Sequence, residues 1–124
     1  MENRNSKIHR ERLTEAIKIE IATILAGELR DPRIGLVTVT QILMAPNGRS
    51  ARVLIQVQGT KQDAEDSLEG LRAAVGYVRH QLQESLDLRK APEITFHLDN
   101  SDQYSSRVDE LLHRVEKQEK KRKK

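Results

Sequence analysis

Three cations, Arg72, Arg79 and His80, flank a run of small residues, Ala74-Val75-Gly76, in the middle of this chain. A guanidinium can fork onto two phosphate oxygens, and a helix starting beside it adds amides and a positive dipole end. The chemistry to expect is capture of a phosphate backbone, with one phosphate seated near Tyr77 and Val78. Lys7, Arg10 and Arg12 near the start, and Arg89 and Lys90 after the run, extend the set. Residues 117–124 hold six basic side chains, Lys120 and Lys121 among them, against one acid. Taken singly, each cation is also what a solvated surface looks like, and the basic end what a solubilising tail looks like.

Other chemistry lacks its parts. His9, His80, His97 and His113 show no metal-ligand spacing, and there is no cysteine. No Gly-rich nucleotide loop or nucleophile motif is present. Asp99 and Asp102 have the type to hold magnesium, but after a strand they are far better explained as helix caps. The expectation is a protein without catalysis, cofactor or metal. Tyr77, Phe96 and Tyr104 are the only aromatics, and Phe96 has a core position, so base stacking is not the mode. Recognition of a nucleic acid should rest on its shape and backbone position.

At 124 residues the chain makes one domain, residues 1–116, followed by a basic tail, 117–124, expected to be disordered. The net charge of +3 conceals a division: the tail carries +5 and residues 1–116 carry −2. Within residues 61–70, Asp63, Glu65, Asp66 and Glu69 face one cation, Lys61. That stretch should turn away from a polyanion and fix one docking orientation. It also leaves open a protein–protein adaptor working through the acidic face. A metal-dependent nuclease is the remotest alternative. No apolar run is long enough to span a membrane, Met1 to Arg12 is too polar for a secretory signal, and the lack of cysteine suits a reducing compartment. A cytoplasmic protein is expected.

The elements that position these residues follow from periodicity. Leu13, Ile17, Ile21, Ile24 and Leu25 mark a first helix over 6–29, broadened by Ile8, Ile19 and Leu29 and ended by Asp31-Pro32. Leu36 to Met44 reads as a central strand, apolar on both faces. A turn at Ala45-Pro46-Asn47-Gly48 leads to an antiparallel strand with Ala51, Val53, Ile55 and Val57 inward. Thr60 and Asp63 form a capping box. Ala64, Leu68, Leu71, Val75, Val78, Leu82 and Leu86 then make one helical stripe, interrupted by Gly76. A glycine there predicts two helices meeting at a bend, with unusual dihedrals and room for another backbone. Ile94, Phe96 and Leu98 give a third strand, and Tyr104, Val108, Leu111, Leu112 and Val115 a last helix. The result is an α+β two-layer sandwich, helix-strand-strand-helix-kink-helix-strand, with a three-stranded sheet and a C-terminal helix.

Four stretches in this order carry a resemblance. They are Asp31-Pro32-Arg33 with Gly35 and Val37-Thr38-Val39-Thr40; Ala74-Val75-Gly76 with Val78-Arg79; Leu88-Arg89 with Pro92-Glu93-Ile94-Thr95-Phe96; and Asp99-Asn100-Ser101 leading to Arg107-Val108. Over residues 8–113 the chain resembles the bacterial ribosome-binding factor A family, a type-II KH-like domain. The resemblance implies a cytoplasmic, non-catalytic factor of ribosome biogenesis. Such a factor binds the small (30S) subunit and 16S rRNA, assists late maturation and processing of the rRNA 5′ end, supports growth in the cold, and is linked to an assembly GTPase. A monomer off the ribosome is expected. Ordinary KH domains use Gly-X-X-Gly, but no two glycines here are three apart. The family instead has Ala-X-Gly, matching Ala74-Val75-Gly76, which implies binding to structured RNA. Ser106 departs from the glycine the family often has before the arginine matching Arg107.

Overall fold

Isoleucines at 17, 21 and 24 recur at the interval that brings side chains to one helical face, and all three are wholly buried. In a computed structural model, which describes residues 4–27 and 29–100, they belong to α1, Arg4–Gly27. There follow β1 (Val37–Met44), β2 (Ser50–Val57), α2 (Lys61–Ala73), α3 (Val75–Ser85) and β3 (Glu93–Leu98). This is the α+β order that the spacing predicts. The expected C-terminal helix and tail, with Lys120 and Lys121, lie outside the described residues.

The sheet order is β1-β2-β3, with β2 antiparallel to β1 and parallel to β3. A parallel pair needs a long crossover, and α2 with α3 supplies it. Ala51, Val53 and Ile55 of β2 point into a single core. There they meet Ile94 and Phe96 of β3, Leu71, Val78 and Leu82 of the helix pair, and the α1 isoleucines. Arg52, Leu54 and Gln56 alternate onto the opposite face of β2, which carries no helix among the described residues.

β1 is an edge strand, not the central one its sequence suggested, and a bulge explains the difference. Val39 pairs with Ile55 and Gln41 with Leu54, leaving Thr40 as an extra residue. The inward phase shifts by one across it: Val37 and Val39 face the core before the bulge, Ile42 and Met44 after it. A strand that is apolar on both faces in sequence is therefore apolar on one face in space. Leu36, expected in the strand, precedes it and is 73% exposed. On α1 the expected broad apolar surface is also absent, since Ile19 is 59% exposed and Ile8 36%. One face of α1 packs, against β1 and α3.

Local signals at the ends of α2 and α3 are clear. The Thr60 hydroxyl accepts from the Asp63 amide at 3.1 Å, and the Asp63 carboxylate accepts from the Thr60 amide at 2.8 Å, completing the capping box. These bonds, the Thr60 amide foremost, hold the Asp63 carboxyl below its ordinary pKa. At the other end, Leu88 N–H reaches Gln83 O at 2.9 Å and Asp87 adopts φ 52°. That is a Schellman stop with aspartate where glycine is usual.

Candidate nucleic-acid interface

The helix pair breaks at Ala74, whose φ of −93° and ψ of 3° leave the helical region. Its amide is shared between Gly70 O at 3.1 Å and Leu71 O at 3.0 Å. Gly76, the expected hinge, lies inside α3 without a positive φ, and a Cβ there would meet nothing within 4 Å. The close approach expected of Gly76 occurs instead at Gly70. A Cβ on Gly70 would lie 2.7 Å from Ile34 Cγ1, so glycine lets the 31–36 loop dock on α2. The buried Ser67 fastens that loop further, its hydroxyl accepting from the Gly35 amide at 3.0 Å.

The cations around this elbow have partners within the fold. Arg79 donates from Nε to Pro92 O and from Nη2 to Ala91 O, each at 3.0 Å. It thereby ties α3 to the segment entering β3. Arg72 donates to Phe96 O on β3 at 3.4 Å. His80 lies 3.2 Å from Glu84 one turn on. What the elbow leaves open is small and weakly polar: half-buried Ala74 and Val75, exposed Gly76, and Tyr77 at 42% exposure.

A different arrangement occupies the end of the sheet where the β1–β2 turn meets the 86–92 loop. The Glu93 amide donates to Arg49 O at 2.9 Å, joining the start of β3 to the turn. Arg10 reaches from α1 to Pro46 O at 3.5 Å, with exposed Lys7 one turn earlier on the helix. Between turn and loop lies a notch of about 580 Å³, lined by Gly48, Arg49, Ser50, Lys90 and Glu93. Arg89 is exposed beside it. Arg52 follows two residues after Ser50 on the helix-free face, in register between Leu43 and Thr95. The side chains of Arg49, Arg52, Arg89 and Lys90 make no hydrogen bond or ion pair among the described residues. Of the expected site residues, the fold thus gathers Lys7, Arg10, Arg89 and Lys90 at one end and engages Arg72, Arg79 and His80 elsewhere.

Arg49 and Arg52 were not among the candidates. Asn47-Gly48 announces the turn that carries Arg49, and strand alternation puts Arg52 outward, so part of the signal was present. The parallel pairing of Ser50 with Glu93, which brings Lys90 alongside, is not written in either segment.

The opposite end of the sheet has the reverse character. Asp63, Glu65, Asp66 and Glu69 lie on α2, and Arg33 is engaged by Asp31 through Nη2–Oδ2 at 2.6 Å and by Glu69 at 3.5 Å. The Arg33 side-chain bond, above all, holds the Asp31 carboxyl below its ordinary pKa. A shallow hollow of about 440 Å³ there is lined by Leu36, Val37, Thr38, Gln56, Val57 and Gln58, without a charged side chain. Asp99, considered above as a magnesium ligand, accepts from Thr40 Oγ1 at 2.6 Å. Among the described residues no helix is long and apolar enough to cross a membrane.

Comparison with known proteins places this geometry in context. The family model described as ribosome-binding factor A matches residues 9–112. Over 120 residues the chain is 58% identical to a ribosome-binding factor A of Koribacter versatilis (strain Ellin345), covering 97% of this chain and 98% of that one. A ribosome-binding factor A of Desulfitobacterium hafniense is 42% identical over 110 residues, covering 89% and 88%. The crystal structure of ribosome-binding factor A from Thermus thermophilus superposes with a TM-score of 0.64 at 23% identity, covering 71% of this chain and 92% of that one. A homology model of the T. thermophilus factor, fitted into the cryo-EM map of a 30S complex, superposes with a TM-score of 0.60 at 22% identity, covering 72% and 93%.

Proposed function

This chain belongs to the ribosome-binding factor A family, shares its KH-like fold, and on that footing we propose that it is a non-catalytic assembly factor of the small ribosomal subunit. It binds the 30S particle through 16S rRNA late in maturation and supports processing of the rRNA 5′ end. It acts as a cytoplasmic monomer off the ribosome and is linked to an assembly GTPase that governs its release. The observation that carries the reading is the match to a ribosome-binding factor A over nearly the whole of both chains. The T. thermophilus model fitted to a 30S map supports the choice of subunit.

The charge layout supplies a physical route. One end of the sandwich presents Lys7, Arg10, Arg89 and Lys90, and the other presents the acids of α2. A polyanion attracts the first and repels the second, so the domain docks in one orientation. At the Ala74-Val75-Gly76 elbow, Gly76 faces open space, so folded RNA rests there without steric conflict. Arg72 and Arg79 tie the elbow to β3 and the segment leading into it. The bound factor biases rRNA toward one of its accessible arrangements, in proportion to its preference for that arrangement.

The test is sedimentation of lysate through a gradient at low and at high salt. The protein should travel with free small subunits and dissociate as salt rises. Finding it only in the top fractions at low salt would contradict the reading. Binding that ignored salt and was blocked by Asp66→Lys would point to a protein partner.

A further inference from the structure

The notch between the β1–β2 turn and the loop before β3 joins residues distant in sequence and has no assigned role. A backbone bond joins two of its lining residues, Glu93 N–H to Arg49 O at 2.9 Å. Its walls are the turn and the 86–92 loop, the latter fixed by the Arg79 bonds to Ala91 O and Pro92 O. So the two cations at its rim, Arg49 and Lys90, stand on backbone that is held from both sides. Neither has a side-chain partner among the described residues. The one acid in the lining is Glu93, and Ser50 adds a hydroxyl. Arg52 continues the cationic line away from the notch, on the sheet face where no described helix intervenes.

We propose that this notch seats the phosphodiester backbone of ribosomal RNA, with Arg49 and Lys90 straddling a phosphate, Ser50 donating to it, and Arg52 receiving the next along the helix-free face. The assignment rests on the rRNA-binding reading above and adds the place and the residues. The occupant is RNA backbone because the groups are cations and a hydroxyl donor without an aromatic platform, a set that reads charge and spacing and ignores base identity. Glu93 keeps the strand to one side of the notch by repulsion.

The absence of cysteine makes a direct test clean. Ser50→Cys and, as a control on the outer face of α1, Ile19→Cys are each coupled to a short photo-crosslinker in the full chain and bound to purified 30S subunits. The Ser50 probe should give a nuclease-sensitive adduct and the Ile19 probe none. Adducts to ribosomal protein or to the chain itself from Ser50, or RNA adducts from Ile19 alone, would overturn the assignment. A second measurement guards against a perturbing probe. Arg49→Glu with Lys90→Glu should weaken binding by about tenfold and make the log–log salt dependence shallower by at least roughly 0.8. Arg30→Glu with Lys61→Glu, an equal charge change on exposed cations at the other end, should alter affinity less than twofold. Equal losses for both pairs, or none for either, would overturn the notch while leaving subunit binding intact. If the unmodified chain fails to bind subunits, the rRNA reading falls and takes the notch with it.

Discussion

The elbow between α2 and α3 and the notch beside the β1–β2 turn hold similar numbers of cations, yet the fold uses them differently. At the elbow, Arg72 and Arg79 are spent on carbonyls of β3 and the segment leading to it. At the notch, Arg49 and Lys90 meet no counterpart among the described residues. A guanidinium fastened to buried backbone contributes stability, because those carbonyls would otherwise lie desolvated without a donor. A cation left in solvent contributes little to stability and keeps its charge for a partner. The two regions should therefore separate under mutation, one moving the melting curve and the other the binding curve.

The largest stability effect belongs to Arg79→Ala, which strips donors from the carbonyls of buried Ala91 and Pro92. It should cost about 2–3 kcal/mol, read by denaturant unfolding, with affinity for the subunit changed less than twofold once the folded fraction is corrected for. Gly70→Ala comes next. Its new methyl meets Ile34 Cγ1 at 2.7 Å, an overpacking worth about 1–2 kcal/mol of destabilisation. Gly76→Ala, across the break and in α3, should do the opposite. It adds a methyl in open space in the first turn of α3 and should stabilise by about 0.4–1 kcal/mol, chiefly by restricting the unfolded chain, which thermal unfolding resolves. A loss at Gly76 equal to that at Gly70 would break the distinction drawn between the two glycines.

These glycines also show where sequence reasoning stopped. Spacing located the helical stripe, its interruption, the capping box and the inward residues of β2, since each depends on neighbours within a turn or two. It could not say which glycine was crowded, because the crowding atom, Ile34 Cγ1, arrives on a loop far along the chain. The edge position of β1 was hidden for a similar reason. Its bulge moves the inward phase from Val37 and Val39 to Ile42 and Met44, and the linear pattern imitates a strand buried on both faces. Arg49 follows the Asn47-Gly48 turn with no signal of its own in the sequence, and its conjunction with Lys90 needs the parallel register of β2 and β3. Charges were legible in the sequence and their partners were not.

The smallest expected effect lies at the acidic end. Asp31 and Asp63 both titrate below the ordinary carboxylate range in the folded chain. Their stabilising bonds are intact above the unfolded pKa, about 4. They are lost as pH falls through the lower folded values, since protonation then favours the unfolded chain. Asp31→Asn or Asp63→Asn should reduce stability modestly at neutral pH and flatten its decline below about pH 4, as followed by circular dichroism. Neither should alter binding at neutral pH, which sharpens the contrast with the notch.

The decisive measurement is the salt dependence of affinity for purified 30S subunits, taken side by side for two charge-neutralised pairs. Arg49→Gln with Lys90→Gln should make the slope of log affinity against log salt shallower by roughly 0.8, as the loss of the one phosphate they straddle requires. Arg72→Gln with Arg79→Gln, corrected for the folded fraction, should leave that slope where it is in the unaltered chain. A shallower slope for the elbow pair, with the notch pair unchanged, would contradict the account.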